Sequence, residues 1–371
     1  VVVGDLDYGK PELKPDCKNC EYRVKEEKPS GFEECWGDMA LVEPHILDIY
    51  YVSNLGSKDG FKNLVTNGQA CALDIVESSI DGSKARGARQ LRQIRSLRDD
   101  SEQVEPELLS SLCDLEYPLF FLDFETSRIP IPFHPGMNAY EQVVFQFSCH
   151  ILRDANSSEL EHQEWINTEN VYPNFDFASA LRNVLGEYGT ILVWSPFEQT
   201  AMRDIVKQAE KYSFPDVELV AWLSELSTPT KEGGRVFDLM RLCESSYYHP
   251  LMQGRVSIKY VLKSIWQTTP SLWIDPWFEE YFKRDENGQT LDPYQSLSAE
   301  PFGYESEREG VELEVVREGV GAMRAYQEML YGLHRSDDEF KMVQRDLLLQ
   351  YCKLDTAAMV IIWKYWQSLG S

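Results

Sequence analysis

The segment Pro118-Leu-Phe-Phe-Leu-Asp-Phe-Glu125 constrains this chain more than any other. It is aromatic and aliphatic, bounded by Pro118 and by Thr126-Ser127, and reads as a buried strand. Strand side chains alternate between faces, so Asp123 and Glu125 leave one face of the sheet together. Their neighbours Leu122 and Phe124 point the other way, into apolar packing. Two adjacent carboxylates on a hydrophobic strand are costly unless a positive charge neutralises them. A divalent cation does this, and oxygen donors of this kind suit Mg²⁺ or Mn²⁺. The bland alternative is a strand end emerging into water with two solvated acids. On the pair alone the two readings weigh the same.

The surrounding sequence has the size and balance to build a sheet around that strand. At 371 residues, 43% of them hydrophobic and 26% charged, the chain is long enough for two or three domains with cores of their own. The apolar run Ala357 to Trp363 is seven residues, far short of a membrane span. Val1 to Asp5 lacks a signal-peptide pattern and an initiator Met, so the chain is expected to begin inside a longer gene product. With 36 basic and 61 acidic residues the net charge is −25. That argues against a nucleic-acid coat or membrane-surface protein, but not against a nuclease whose carboxylates hold cations. Cys71, Cys113, Cys149, Cys243 and Cys352 stand singly and read as reduced thiols, which suggests a cytoplasmic setting.

The expected organisation is a cysteine-containing segment (1–40), a helical linker region (41–112) and a larger α/β domain (113–371) with an insertion near 285–310. Further strands are expected at Val143 to Leu152, around Trp165 and at Ile191 to Trp194. Helices are expected at Phe177 to Tyr188, Phe197 to Tyr212 and Gln344 to Leu369. Strands followed by alternating helix and strand predict a mixed sheet flanked by helices. In Ile191-Leu-Val-Trp-Ser-Pro-Phe-Glu198 a strand runs into a helix with Glu198 in its first turn, where the dipole alone would favour an acid. Tyr351 and Asp355 lie four apart on one helix face. Asp238 interrupts the apolar run Val236 to Met240.

In order, these pieces resemble the DEDD superfamily of 3′–5′ exonucleases, which has an RNase H-like fold, and its subgroup with Tyr in the third motif. The resemblance implies Asp123, Glu125, Glu198 and Asp355 as ligands of two Mg²⁺ or Mn²⁺ ions, with Tyr351 orienting the attacking water. Two departures stand out. Ser195 occupies the place of an Asn, and Glu198 that of an Asp, which leaves Asp238 as the reserve ligand. A closer resemblance, over 117–369, is to the bacterial family catalogued as domain of unknown function 2779. It rests on Phe121 to Thr126, Tyr140 to Ser148 with His150, Tyr247-Tyr-His-Pro250 with Gly254 and Ser257-Ile-Lys259, and Tyr351 to Met359. Within those motifs His249 is a candidate for contact with the scissile group, against a structural histidine. Lys259 is a candidate phosphate contact, and Gln146 and His150 share a strand face bordering the site.

Two features lie outside that pattern. Cys17, Cys20 and Cys35 form a C-x2-C-x14-C spacing suited to an iron–sulfur cluster or Zn²⁺, given a fourth ligand from Cys71 or from upstream. It resembles the cysteine tail of RecB/Cas4-like nucleases, which implies an upstream nuclease domain or partner protein. Lys84, Arg86, Arg89, Arg92, Arg95 and Arg98 are six basic residues in fifteen. Arg86, Arg89, Arg92 and Arg95 are candidates to track a phosphate backbone, against a face that pairs with the protein's own acids.

The function expected from these readings is a metal-dependent nuclease, a hydrolase cutting phosphodiester bonds at single-stranded ends. Its partner would be nucleic acid, DNA in preference to RNA, with no membrane. The alternative is a catalytically inactive RNase H-like binding module.

Overall fold

Alternation along the aromatic strand organises the larger sheet. β1 (Leu119–Arg128) pairs antiparallel with β2 (Gln142–Leu152), and β2 in turn with β3 (Glu161–Ile166). On its other side β1 pairs parallel with β4 (Thr190–Val193), and β4 with β5 (Val236–Asp238). The result is a mixed five-stranded sheet of order β3-β2-β1-β4-β5. The structure is a computed structural model and describes residues 11–24, 30–57, 59–228, 232–297 and 315–370. It divides into two compact units, Val1–Leu108 with Cys243–Ser264, and Leu109–Leu242 with Ile265–Ser371. The part 298–310 of the expected insertion lies outside the described residues.

In the second unit one face of the sheet buries Phe120, Leu122 and Phe124 in a core with Phe177, Leu181, Ile191, Ile205, Leu219 and Leu223. Those partners include residues of three helices, α4 (Asn174–Leu185), α5 (Phe197–Lys211) and α6 (Val217–Leu226). Each large apolar side chain buried there contributes about 1.5–3 kcal/mol. The opposite face carries α8 (Asp338–Ser368), preceded by α7 (Gly319–Tyr331). α8 starts earlier than the apolar spacing suggests because the Asp337 side chain accepts from the backbone N–H groups of Glu339 and Phe340. Its 31 residues span ~46 Å, enough to cross the sheet. Phe121 meets Trp363 edge to face at 5.7 Å, so Phe121, Asp123 and Glu125 form the face toward α8. β5 and α7 were not foreseen. Three residues are too few for a strand period to register in the sequence.

The first unit is built from short helices α1 (Gly31–Trp36), α2 (Gly60–Thr66) and α3 (Ala85–Asp99) around Trp36, Ile46, Leu47, Phe61, Ile75 and Ile94. α1 begins in a reciprocal cap. The Glu33 N–H donates to Ser30 Oγ at 3.3 Å and the Ser30 N–H to Glu33 Oε2 at 3.2 Å.

α3 corrects the reading of Arg89 and Arg92 as part of a phosphate track, while Arg86 and Arg95 stay exposed. Arg89 is only 1% exposed. Its Nη1 donates to the carbonyls of Cys243, Glu244 and Tyr247, and its guanidinium lies near the rings of Tyr50 and Tyr248. Arg92 is also buried, paired with Glu105 at 3.0 Å and donating to the Glu244 carbonyl. Arg95 pairs with Glu77 at 3.1 Å, and Arg86 stacks on Tyr51 at 4.6 Å. Arginine at every third position winds around a helix, so some of the band had to turn inward, where it ties α3 to the chain segment after residue 242. Arg89→Met should therefore cost about 2–4 kcal/mol by leaving several buried carbonyls unpaired. Arg95→Gln, which removes an exposed pair, should stay within about 1 kcal/mol. Urea denaturation measures both, and equal losses would contradict the assignment.

A buried carboxylate cluster as candidate metal centre

Register brings the acids to one end of the sheet. Phe121 stands opposite Leu192 in the parallel β1–β4 pair, so the turn after β4 lies level with Asp123 and Glu125. That turn enters α5 through Ser195, whose Oγ accepts from the Phe197 N–H at 3.1 Å, and sets Glu198 in the first helical turn. Val193 stands opposite Asp238, so Asp238 ends β5 at nearly the same level. The carboxyl ends of adjacent parallel strands are where open sheets gather ligands. β2 has one extra residue, Phe145, between the partners of Glu125 and Thr126, a bulge directly beside the site.

α8 supplies the remaining side chains. Tyr351, Cys352 and Asp355 are all buried, and all three act on Asp123 or Glu125. Oxygens of Asp123 and Glu125 and the Cys352 sulfur lie within 4.8 Å of one another. Cys352 Sγ is 3.6 Å from Asp123 Oδ2 and 3.8 Å from the Asp123 carbonyl. The Tyr294 hydroxyl donates to Asp355 Oδ1 from the segment that precedes the undescribed stretch. α8 is held on the sheet by polar contacts that flank these groups. Gln146 Nε2 donates to the Leu348 carbonyl at 2.9 Å. Thr356 Oγ1 is 2.8 Å from both Ser148 Oγ and His150 Nδ1.

The electrostatics are those of crowded, desolvated acids. Burial raises the Asp123 carboxyl well above the usual range, and Asp355, Glu125 and Glu198 raise it further. Burial, with Asp238 and Asp355 adding to it, pushes Glu198 up to about 8. The Tyr351 phenol is raised by burial and then by Asp355, Glu125 and Asp123, so it stays protonated. Glu198 is 3% exposed, and its Oε2 has no hydrogen-bond partner among the described residues. Gln146 is fully buried, and its Oε1 is likewise without one. Asp238 is different, since Arg241 Nε stands 3.3 Å from its Oδ2. Buried oxygens without donors, at the edge of a carboxylate cluster, fit a hard divalent cation.

Asp123, Glu125, Glu198, Asp355 and Tyr351 thus come together, with Asp238 next to Glu198. His249 belongs to the first unit, whereas the cluster is built within the second. His249 caps the turn Pro250–Met252, with Nδ1 accepting from the Leu251 N–H at 3.2 Å, and its charged neighbours are Glu102 and Asp100. Lys259, in the helix Ile258–Thr268, also belongs to the first unit. Cys17 and Cys20 are part-buried and Cys35 is exposed. Among the described residues these three do not gather as a ligand group.

The sequence reading missed Cys352 and Tyr294. Cys352 carried a usable signal, because it lies three residues before Asp355 on the same helix face. Tyr294 carried none. Its partner is 61 positions away and its segment reads as a polar loop. A cavity of about 700 Å³ opens beside this part of α8, lined by His162, Glu164, Tyr281, Arg345 and Lys353 among others.

Residues 120–257 match the model of a family described as Domain of unknown function (DUF2779), and this stretch is similar to that family. The match spans Asp123, Glu125, Glu198 and Asp238, and ends before α8. No curated protein and no solved structure matches the chain.

The raised carboxyls make the metal-free protein sensitive to pH. Between the ordinary Glu value of 4.5 and about 8, folded Glu198 keeps a proton that the unfolded chain has released. The folded state then binds more protons, so stability falls as pH rises through this window. Glu198→Gln should flatten that fall. Its melting temperature should match the wild type near pH ~4 and exceed it increasingly toward pH ~8, by about 2–4 °C per kcal/mol relieved. A fall as steep in the variant as in the wild type would contradict the assignment.

Proposed function

We propose that the second unit is a divalent-cation-dependent nuclease that removes nucleotides from the 3′ ends of single strands. The observation that carries this reading is the convergence of Asp123, Glu125, Glu198 and Asp355 from one strand and two helices into one cluster of mutually repelling carboxyls. The order of these acids along the chain supports the resemblance to the DEDD exonucleases with Tyr in the third motif. The mixed sheet of order 3-2-1-4-5 is consistent with an RNase H-like fold.

Asp123, Glu125, Glu198 and Asp355 are the residues to hold two Mg²⁺ or Mn²⁺ ions, with Asp238 behind Glu198. When bound, such a pair activates the attacking water and neutralises charge on the leaving oxygen. The protein's own side chains do the positioning. Tyr351, kept neutral by its acidic surroundings, offers a hydroxyl to orient water. Tyr294 holds one oxygen of Asp355 and thereby fixes the carboxylate's rotation. The contacts of Gln146, Ser148 and His150 fix α8 in register with β2. The substrate is nucleic acid, DNA in preference to RNA.

A 5′-labelled single strand incubated with the protein and Mn²⁺ should shorten stepwise from its 3′ end. Chelation should stop this, and Asp123→Ala or Asp355→Asn should slow it by on the order of 10²–10³ or more, the loss typical of removing one transition-state charge stabiliser. No metal-dependent shortening of single- or double-stranded DNA or RNA, or full activity in Asp123→Ala, would overturn the nuclease reading in favour of a binding module.

A further inference from the structure

We propose that the Cys352 thiol is itself a ligand of this centre, so that one cation position takes a borderline or soft divalent ion such as Co²⁺, Zn²⁺ or Cd²⁺ alongside Asp123 and Glu125. This rests on the reading of the cluster as a metal centre and adds to it the class of cation.

The geometry carries the argument. A cation with a thiolate at ~2.3 Å and a carboxylate oxygen at ~2.0 Å in tetrahedral array separates the two donors by about 3.5 Å. The same bonds at a right angle, as in an octahedral ion, would separate them by only about 3.0 Å. Cys352 Sγ stands 3.6 Å from Asp123 Oδ2, the separation of a four-coordinate site. An oxygen of Glu125 lies within 4.8 Å of both. Two further oxygens border the cluster with no hydrogen-bond partner among the described residues. One is Glu198 Oε2, on a side chain close enough to act on Asp123. The other is Gln146 Oε1, directly across the β1–β2 ladder from Glu125. Sulfur as a donor shifts preference away from Mg²⁺ toward thiophilic ions. The competing reading is a thiol that simply hydrogen-bonds to Asp123.

The test is titration of the reduced, metal-free full chain with Co²⁺, followed by calorimetry and by the near-ultraviolet thiolate-to-cobalt charge-transfer absorption. Wild type should bind Co²⁺ and show the band, and so should a Cys17→Ser/Cys20→Ser variant. Cys352→Ser should lose the band while still binding Co²⁺ through its carboxylates. Its Cd²⁺ affinity should fall at least about tenfold with Mg²⁺ affinity unchanged. Cys352→Ala should behave alike, and Asp123→Asn, which keeps the thiol, should weaken the band. Saturable Co²⁺ binding with no band, or with a band that survives in Cys352→Ser, would overturn the thiol as ligand and leave the carboxylate centre standing. No Co²⁺ binding by wild type would overturn both.

Discussion

Mutual repulsion among buried carboxyls is the constraint on which the second unit depends. Asp123, Glu125, Glu198 and Asp355 each raise the cost of ionising a neighbour; Asp123 is half-buried and the other three are buried. Something must hold them together without a cation, and the packing does so. On one side of β1 the Phe120, Leu122 and Phe124 side chains anchor the strand in a core shared with three helices. On the other, α8 is pinned to β2 through Gln146, Ser148 and His150, within one turn of Tyr351 and Asp355. His150 sits well below the usual histidine range because it is buried, so it meets Thr356 as a neutral ring and adds no charge there. Without a cation the cluster avoids the cost of ionising by keeping protons, as the raised Asp123 and Glu198 carboxyls show.

Much of this centre was legible in the sequence because it follows two periods. Spacing of two placed Asp123 and Glu125 on one strand face, and spacing of four placed Tyr351 and Asp355 on one helix face. The parallel pairing of β1 with β4 then made Glu198, at the strand–helix junction, their neighbour. What stayed hidden depends on contacts between distant segments. The Tyr294 hydroxyl reaching Asp355 has no local signature. Cys352 read as one more buried thiol, because nothing in its neighbours' identity announces that the Asp123 carboxylate lies across from it.

The basic helix shows the opposite failure at two of its arginines, a strong sequence signal with a different use. Six cations in fifteen residues suggest an exposed electrostatic band. Arg89 and Arg92 instead face inward onto carbonyls some 150 positions away. Charge density along a helix reports how many cations there are, and only the packing of the whole chain decides which of them water can reach. His249 likewise drew attention through its Tyr-His-Pro motif and serves here to cap a turn.

The central claim is that the carboxyl cluster is a cation site rather than a nest of protonated acids. Its most direct test is a crystal structure of the protein soaked in Mn²⁺, with anomalous scattering recorded for manganese. The account predicts two anomalous peaks about 3.5–4 Å apart, bounded by Asp123, Glu125, Glu198 and Asp355. An occupied Mn²⁺ site elsewhere with no peak here, and carboxyl oxygens paired in short acid–acid hydrogen bonds, would contradict it.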